Sequence, residues 1–470
     1  MILARTIAAA LQTFESRVAN PALIKRAARG IDAALERGVE IDVVRKIQAQ
    51  RLRETMGYVA EYSPFYRQMF RRTGISPKEI DDPSDLGNLP FTTSDDIREV
   101  QKFLCVPDEA LAAVFTTAGS TGRPKRIYYT LKDLQQITNF SALALRAQYR
   151  GPLHALIALP MRHGLWIGSA TAENIIRRAG GLPLPVGAGD PQETLEWMRR
   201  FEPNVIISAP SYLTVLTQTA GNAGYDRKLD MIMLGGEVLT EEQQSRFEAY
   251  WGAQVSDGYG MTEISGAQTL SLPDCDGFHI NDFHLVTEIV DPETGEAAEE
   301  GELVFTTIRR EAMPLLRYRS GDRARWLECP DRIPLPAIQL LGRLDDMIVA
   351  GDANLHGSVI ADAVTEILGS ERRIRIHVDK VDMIDRLTLE MEGKEVSKEE
   401  VCHALYSVYP EARTSVENGH LKVEVTTGAD LSDQIKALKM VDERESGASS
   451  EGGIMSGSTP IMSLGQRREG

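Results

Sequence analysis

Phe115-Thr-Thr-Ala-Gly-Ser-Thr-Gly-Arg-Pro-Lys125 is the stretch on which the reading of this chain turns. It follows an apolar run and precedes Ile127-Tyr128-Tyr129, which has the composition of a strand. Its glycines let backbone N–H groups come close to an anion. Thr116, Thr117, Ser120 and Thr121 add hydroxyl donors, and Arg123 and Lys125 add positive charge. Together they suit a triphosphate. The pattern differs from the Gly-x4-Gly-Lys-Ser/Thr loop that opens a helix in P-loop enzymes. A Ser/Thr/Gly stretch standing alone is more often a plain turn, so its surroundings decide.

Outward from the loop, β-rich runs alternate with helical stretches from Val114 to about Ile338. Leu153–Leu159, Val205–Ser208, Met231–Leu234 and Leu303–Thr307 read as strands, Pro191–Phe201 and Glu241–Trp251 as helices. The alternation predicts an α/β fold with mixed, substantially parallel sheets flanked by helices. Upstream, residues 1–45 read as an amphipathic helical extension. Helical character continues to about residue 105, broken at Ser63-Pro64, Asp81-Asp82-Pro83 and Leu89-Pro90. A large domain then spans 46–344. Residues 345–445 carry their own signals (Ile374–Val378, Leu387–Met391, Glu399–Tyr406, Leu421–Thr426), enough for a small α+β domain. Residues 446–470 are rich in Gly, Ser and charge without periodicity and read as a disordered tail.

Composition narrows the classes. The chain has 470 residues, 42% hydrophobic and 26% charged, which excludes a wholly disordered or collagen-like protein. A net charge of −16 weighs against a general nucleic-acid binder. No apolar run reaches the ~20 residues that cross a bilayer, so no membrane association is expected. The start lacks the uninterrupted apolar core of a secretory signal. Four cysteines (Cys105, Cys275, Cys329, Cys402) do not make a disulfide scaffold. A reducing, cytoplasmic location is the expectation.

Three further segments give the loop its context. Asp257-Gly-Tyr-Gly-Met-Thr-Glu263 offers an aromatic face, a hydroxyl and a carboxylate. Tyr318-Arg-Ser-Gly-Asp322 offers a carboxylate after a tight turn, and Gly342-Arg-Leu-Asp-Asp346 sits where the composition shifts. In this order the four segments resemble the adenylate-forming superfamily of acyl-CoA synthetases. Arg51-Leu-Arg-Glu-Thr55, Ser63-Pro-Phe-Tyr66, Leu89-Pro-Phe-Thr-Thr93, Asp291-Pro-Glu-Thr-Gly295 and Arg310-Glu-Ala-Met-Pro-Leu-Leu-Arg-Tyr-Arg319 are similar to one branch, the phenylacetate–CoA ligase-like proteins. The resemblance covers roughly residues 46–442.

The resemblance implies a reaction in two halves. ATP and a carboxylic acid give an acyl-adenylate and pyrophosphate; a thiol, usually coenzyme A, then displaces AMP. Thr116, Thr117, Gly119, Ser120, Thr121, Gly122 and Lys125 match the family's phosphate loop, with Ala118 where the branch commonly has Ser. Within the nucleotide-binding Asp257–Gly260 segment, Tyr259 matches the ring that packs on adenine. Thr262 matches a hydroxyl near the α-phosphate, and Glu263 the Mg²⁺ ligand. Gly235, Gly236 and Glu237 match the turn beside adenine and acyl group, and Asp322 the acceptor of the ribose hydroxyls. Asp345 matches the hinge on which the small domain rotates, with Arg343 in reach of nucleotide. In Ile435-Lys-Ala-Leu-Lys-Met-Val-Asp442, Lys436 falls on the catalytic lysine of adenylation, though Ile435 replaces the family's Gly.

After the hinge the chain departs from the branch. Gly351-Asp-Ala-Asn-Leu-His-Gly-Ser-Val-Ile-Ala361 keeps Asn354 but has Gly357 for Pro and Ala361 for Glu. The thiol acceptor therefore stays open between CoA, a carrier-protein phosphopantetheine arm, an amine and none. Met161-Arg-His-Gly-Leu-Trp166 matches a segment lining the acid pocket, where His163 and Trp166 suit an aromatic acid; a core role for Trp166 is an equal reading. Cys275, His279 and Cys329 match part of a Zn²⁺ site found in some members, without its fourth ligand unless Asp331 supplies one; two ordinary buried thiols are the alternative. A homodimer is compatible with the sequence.

Overall fold

A computed structural model describes residues 21–22, 41–117, 125–159, 166–237, 239, 241–272, 275–329, 335–344, 347–368, 374–393, 396–429, 438–442 and 444. The disordered tail expected from residue 446, and most of the N-terminal extension, lie outside the described residues.

Helices α1 (Ile41–Tyr62) and α2 (Pro64–Thr73) meet at the predicted break. There Ser63 Oγ accepts the N–H of Tyr66, and Pro64 occupies the first turn, where a missing N–H costs nothing. Short 3-10 turns lead to an antiparallel hairpin, β1 (Leu111–Thr117) and β2 (Lys125–Thr130), closed by the pair Thr117–Lys125. Thr130 and Asp133 exchange hydrogen bonds as a capping box that starts α3 (Leu131–Gln148).

The centre is a βα succession: β3 (His154–Ala158), α4 (Ile167–Arg178), β4 (Leu182–Pro185), α5 (Pro191–Phe201), β5 (Val205–Ser208), α6 (Pro210–Asn222), β6 (Met231–Leu234), α7 (Glu241–Trp251) and β7 (Gln254–Ser256). The five strands are all parallel, in the order β4-β3-β5-β6-β7. Ala155 and Ile157 of β3 pack with Leu145 of α3 and Ile176 of α4. Leu156 and Ala158 face the other way, toward Leu195 of α5, Leu213 of α6 and Phe247 of α7. A strand covered on both faces needs apolar side chains throughout, which is why Leu153–Leu159 reads as one continuous apolar run. In such a sheet the loops after the strands gather along its C-terminal edge. The loops after β6 and β7 carry Gly235–Glu237 and Asp257–Glu263.

Strands β8 (Gly260–Met261) and β9 (Gly266–Ala267) pair alone. Next come β10 (Thr269–Leu272), β11 (Cys275–Ile280), β12 (Leu285–Val290), β13 (Glu300–Thr307), β14 (Tyr318–Leu327) and β15 (Ala337–Arg343). They form an antiparallel sheet in the order β10-β11-β15-β14-β13-β12. Leu303–Thr307 is thus a strand as expected, in the antiparallel sheet of a mixed architecture.

The C-terminal lobe has its own core, running from Ile348 to Val423. It comprises the hairpin β16 (Met347–Ala350) and β17 (Ala353–His356), α8 (Gly357–Leu368), β18 (Ile374–Val381), β19 (Ile384–Met391), α9 (Lys398–Val408), α10 (Pro410–Glu417), β20 (Leu421–Thr427) and β21 (Leu438–Asp442). Its mixed sheet runs β20-β19-β18-β21.

Candidate active site

Four residues from distant parts of the chain meet in one buried contact. Lys125 at the start of β2 places Nζ 2.7 Å from Oε1 of Glu263. The Tyr318 hydroxyl donates to the same oxygen at 3.0 Å and accepts from Lys125 Nζ at 3.2 Å. Thr117 Oγ1 donates to it at 3.5 Å. Burial pushes the Glu263 carboxyl up, but the Lys125 ammonium and the Tyr318 hydroxyl outweigh it and hold the group below its ordinary range. The backbone at Glu263 is held too: Arg310 Nη1 donates to its carbonyl at 2.5 Å, and the Tyr129 hydroxyl donates to the carbonyl of Thr262.

Tyr318 is positioned by a knot of motifs that the sequence left without a mechanism. The Tyr66 hydroxyl accepts from Leu316 N at 2.8 Å and lies 3.1 Å from Thr92 Oγ1, which donates to the carbonyl of Leu316 at 2.6 Å. Arg317, with φ 46°, donates to the carbonyl of Leu89 at 2.7 Å and pairs with Glu288 at 2.9 Å. Ser63–Tyr66, Leu89–Thr93 and Arg310–Arg319 are therefore one structural unit that aims the start of β14.

Four residues before Glu263 and four after Tyr318 lies a second contact. The Tyr259 hydroxyl donates to Asp322 Oδ2 at 2.6 Å, and Asp322 faces Arg343 across the β14–β15 ladder. Asp257 is buried, which pushes its carboxyl up to about 6, and it accepts from Gly258 N at 2.8 Å. The turn after β6 packs on this segment: a Cβ at Gly235 would stand 3.0 Å from the carbonyl oxygen of Gly258. Gly236 has φ +88°, which favours glycine, and a Cβ there would stand 3.2 Å from the Trp166 ring. Trp166 thus borders the turn that was expected to pass the acyl group.

The third member of that turn goes elsewhere. The Glu237 carboxylate accepts from Ser211 N at 2.9 Å and from Ser211 Oγ at 2.7 Å, facing the C-terminal lobe. Thr116 pairs with Arg126 in the hairpin, and Gly260 lies in β8. Gly119, Ser120, Thr121, Gly122, His163, Asp345 and Lys436, and the side chain of Arg343, lie outside the described residues. Sequence reasoning gave no role to Tyr318, Arg310 or Ser211. The first two stand inside quoted motifs, which was the available signal; Ser211 carried none.

Cys275 and Cys329 are not two separate thiols: they form a disulfide across the sheet, with a Cα–Cα distance of 5.2 Å. Strand order explains the pairing, since β11 and β14 flank β15 and bring together residues 54 apart in sequence. His279 joins them, with the three donor atoms within 4.8 Å of one another. Two thiols and an imidazole suit zinc, but a disulfide does not ligate it, and Asp331, the expected fourth donor, lies outside the described residues. Also among the described residues, no helix is long and apolar enough to cross a membrane.

A five-stranded parallel sheet beside an antiparallel one, with Tyr259 and Glu263 after β7 meeting Asp322 of β14 and Lys125 of β2, has the architecture of the adenylate-forming enzymes. The chain belongs to the family described as AMP-binding enzyme, whose sequence model matches residues 40–309. It is 30% identical over 361 residues to the phenylacetate-coenzyme A ligase of Aromatoleum evansii, covering 75% of this chain and 82% of that one. Among solved structures, it resembles 2-hydroxyisobutyryl-CoA ligase with 2-HIB-AMP and CoA in the thioesterification state. There the TM-score is 0.72 at 25% identity, over 85% of this chain and 90% of that one. Against an open conformation of that ligase the TM-score is 0.62 at 23% identity, over 85% of this chain and 92% of that one.

Proposed function

We propose that the protein is an AMP-forming acid–thiol ligase that adenylates a small, aromatic carboxylic acid and passes the acyl group to coenzyme A. The observation that carries this reading is the joint placement of Thr117, Lys125, Glu263 and Tyr318 beside Tyr259 and Asp322. In the first half-reaction a carboxylate oxygen attacks the α-phosphorus of ATP and pyrophosphate leaves. Lys125, with the hairpin loop it ends, neutralises phosphate charge and aligns the attack. Asp322 takes the ribose hydroxyls, and Tyr259 lies along the adenine. Glu263 would hold Mg²⁺, which supplies charge to the phosphates; a buried carboxylate already kept ionised fits that role. Lys436 would bridge carboxylate and phosphate oxygens. In the second half the thiol sulfur attacks the acyl carbonyl, AMP leaves, and the thiol proton goes to solvent.

The altered segment Gly351–Ala361 supports a second reading, in which a carrier-protein arm or an amine takes the acyl group. ATP–pyrophosphate exchange with a panel including phenylacetate and 2-hydroxyisobutyrate tests the first half. Mass detection with CoA, a carrier protein and amines tests the second. Exchange with no acid of the panel would overturn the adenylation reading; an adenylate that accumulates in the presence of CoA would overturn the acceptor. The Cys275–His279–Cys329 group takes no part in either reading.

A further inference from the structure

Two contacts between the described residues of the C-terminal lobe and the large lobe bear on how the lobe is placed. At the first, the tight turn Asp382-Met383 between β18 and β19 abuts α7. Lys380 Nζ donates to Gln243 Oε1 at 2.7 Å, and Arg246 Nη1 lies 3.3 Å from Met383 Sδ. At the second, Asp352 and His420 meet the start of α6. Ser211 Oγ lies 3.5 Å from Asp352 Oδ1, His420 Nδ1 bonds Asp352 Oδ2 at 2.6 Å, and the Tyr212 ring stands edge-on to His420 at 5.3 Å.

Glu237, Asp352 and Asp385 bring three carboxylates to this junction. Asp385 is held within its own lobe by Gly351 N at 2.8 Å, Arg444 Nη1 at 3.1 Å and Lys380 Nζ at 3.6 Å. The Asp352 carboxylate is bonded by His420 Nδ1 at 2.6 Å and lies 3.5 Å from Ser211 Oγ, while its backbone N–H donates to Ser415 Oγ at 3.1 Å. Glu237 accepts both donors of Ser211 and faces Asp352, Asp385 and the Lys380 ammonium. Arg246 sits at the turn, and Tyr212 is buried near Asp190, Asp352 and Glu193.

We propose that Lys380, anchored on Gln243, and Asp352, backed by His420 and joined through Ser211 to Glu237, dock the C-terminal lobe in the orientation used for acyl transfer to the thiol. This rests on the thiol-ligase reading. It is supported by the closer match to the ligase structure in its thioesterification state. Burial, then Asp352 and Asp385, push the Glu237 carboxyl up to about 8. Undocking removes both aspartates, so the value falls when the lobes part. A raised carboxylate favours the docked state where it is protonated. Docking is strongest below the undocked value and weakens about tenfold per pH unit until the pH passes the docked value, then levels. Lys380 and Asp352 act as positioning residues, for neither touches a reacting atom.

The test follows hydrogen–deuterium exchange of residues 205–222 and 374–391, corrected for intrinsic rate, from pH 6 to pH 9, alongside both half-reactions. The wild type should lose protection as pH rises toward 8. Glu237→Gln should remove that dependence. Lys380→Met should lower protection at every pH and slow thioester formation from supplied acyl-adenylate about tenfold or more, while pyrophosphate exchange changes less than about twofold. Lys380→Arg should restore most of both. Persistence of the pH dependence in Glu237→Gln, or equal loss of both half-reactions in a folded Lys380→Met, overturns the proposal. Exchange that responds as stated while no CoA thioester forms in any protein supports the docking contact and overturns the acceptor reading instead. Exchange is the primary readout because ionisation of the thiol drives transfer in the opposite direction with pH.

Discussion

Lys125 and Glu263 are 138 positions apart and form a 2.7 Å ion pair with side chains only 10% and 2% exposed. The pair is therefore a structural element as well as part of the proposed nucleotide cleft. Lys125→Met leaves a buried carboxylate without its cation, which costs about 3–5 kcal/mol. Adenylation, read by pyrophosphate exchange, should be abolished and the melting temperature should fall.

The same pair sets an acid limit. The folded Glu263 carboxyl lies below its ordinary value of 4.5. A depressed carboxylate gives stability above that value that is lost as pH falls through the folded one. In Lys125→Met burial dominates, the carboxyl rises, and the sign reverses: the variant should regain part of its stability on mild acidification. Melting curves of both proteins between pH 4 and pH 8 measure this directly.

Tyr259→Phe removes the 2.6 Å hydrogen bond to Asp322 and little else. A lost bond to a charged group is worth about 1.5–3 kcal/mol when both partners are desolvated. The expected result is a KM for ATP raised about tenfold, with kcat nearly kept. A fall in kcat at unchanged KM would place Tyr259 nearer the reacting atoms than the ribose.

Asp133 caps α3 and accepts the N–H groups of Glu311 at 2.7 Å and Ala312 at 3.0 Å. Asp133→Ala strands buried donors on two elements, so about 3 kcal/mol of stability should be lost in urea titrations. Asp133→Asn, which keeps an acceptor oxygen, should recover part of it.

Gly351 has φ +55°, and a Cβ there would stand 2.1 Å from Ser415 Oγ and 3.1 Å from Leu421 Cβ. Gly351→Ala should destabilise the C-terminal lobe by about 2 kcal/mol or more. Hydrogen exchange should report this in 374–391 and leave 153–159 unchanged.

Much of the fold is legible because its signals are local. The apolar runs of β3, β5 and β6 need only a few residues of context, and Pro191, Ser63 and Thr130 mark helix starts by backbone chemistry that neighbours supply. The contacts of Tyr259, Glu263 and Lys125 follow the expected convergence of their motifs. Glu237 shows where such reasoning ends. Its backbone belongs to the turn that the motif describes, but its side chain is claimed by Ser211 and faces Asp352, 26 and 115 residues away. Likewise the Cys275–Cys329 bond follows from the order of three strands, which no spacing of four cysteines encodes. Tyr318 sat in a quoted segment and was passed over for Asp322, since a phenol with no known partner carries no chemistry of its own.

The knot that aims β14 has a consequence for how the protein comes into being. Tyr66, Thr92, Leu316 and Tyr318 must all be present before the buried contact around Glu263 is complete. A nascent polypeptide that has emerged from the ribosome only as far as β7 holds every strand of the parallel layer, yet it lacks both Glu263 and the Tyr318 that steadies Glu263 with Lys125. The contact that steadies Lys125 against Glu263 therefore cannot close until residue 318 has been made, and a product truncated before it would carry the parallel layer without that contact.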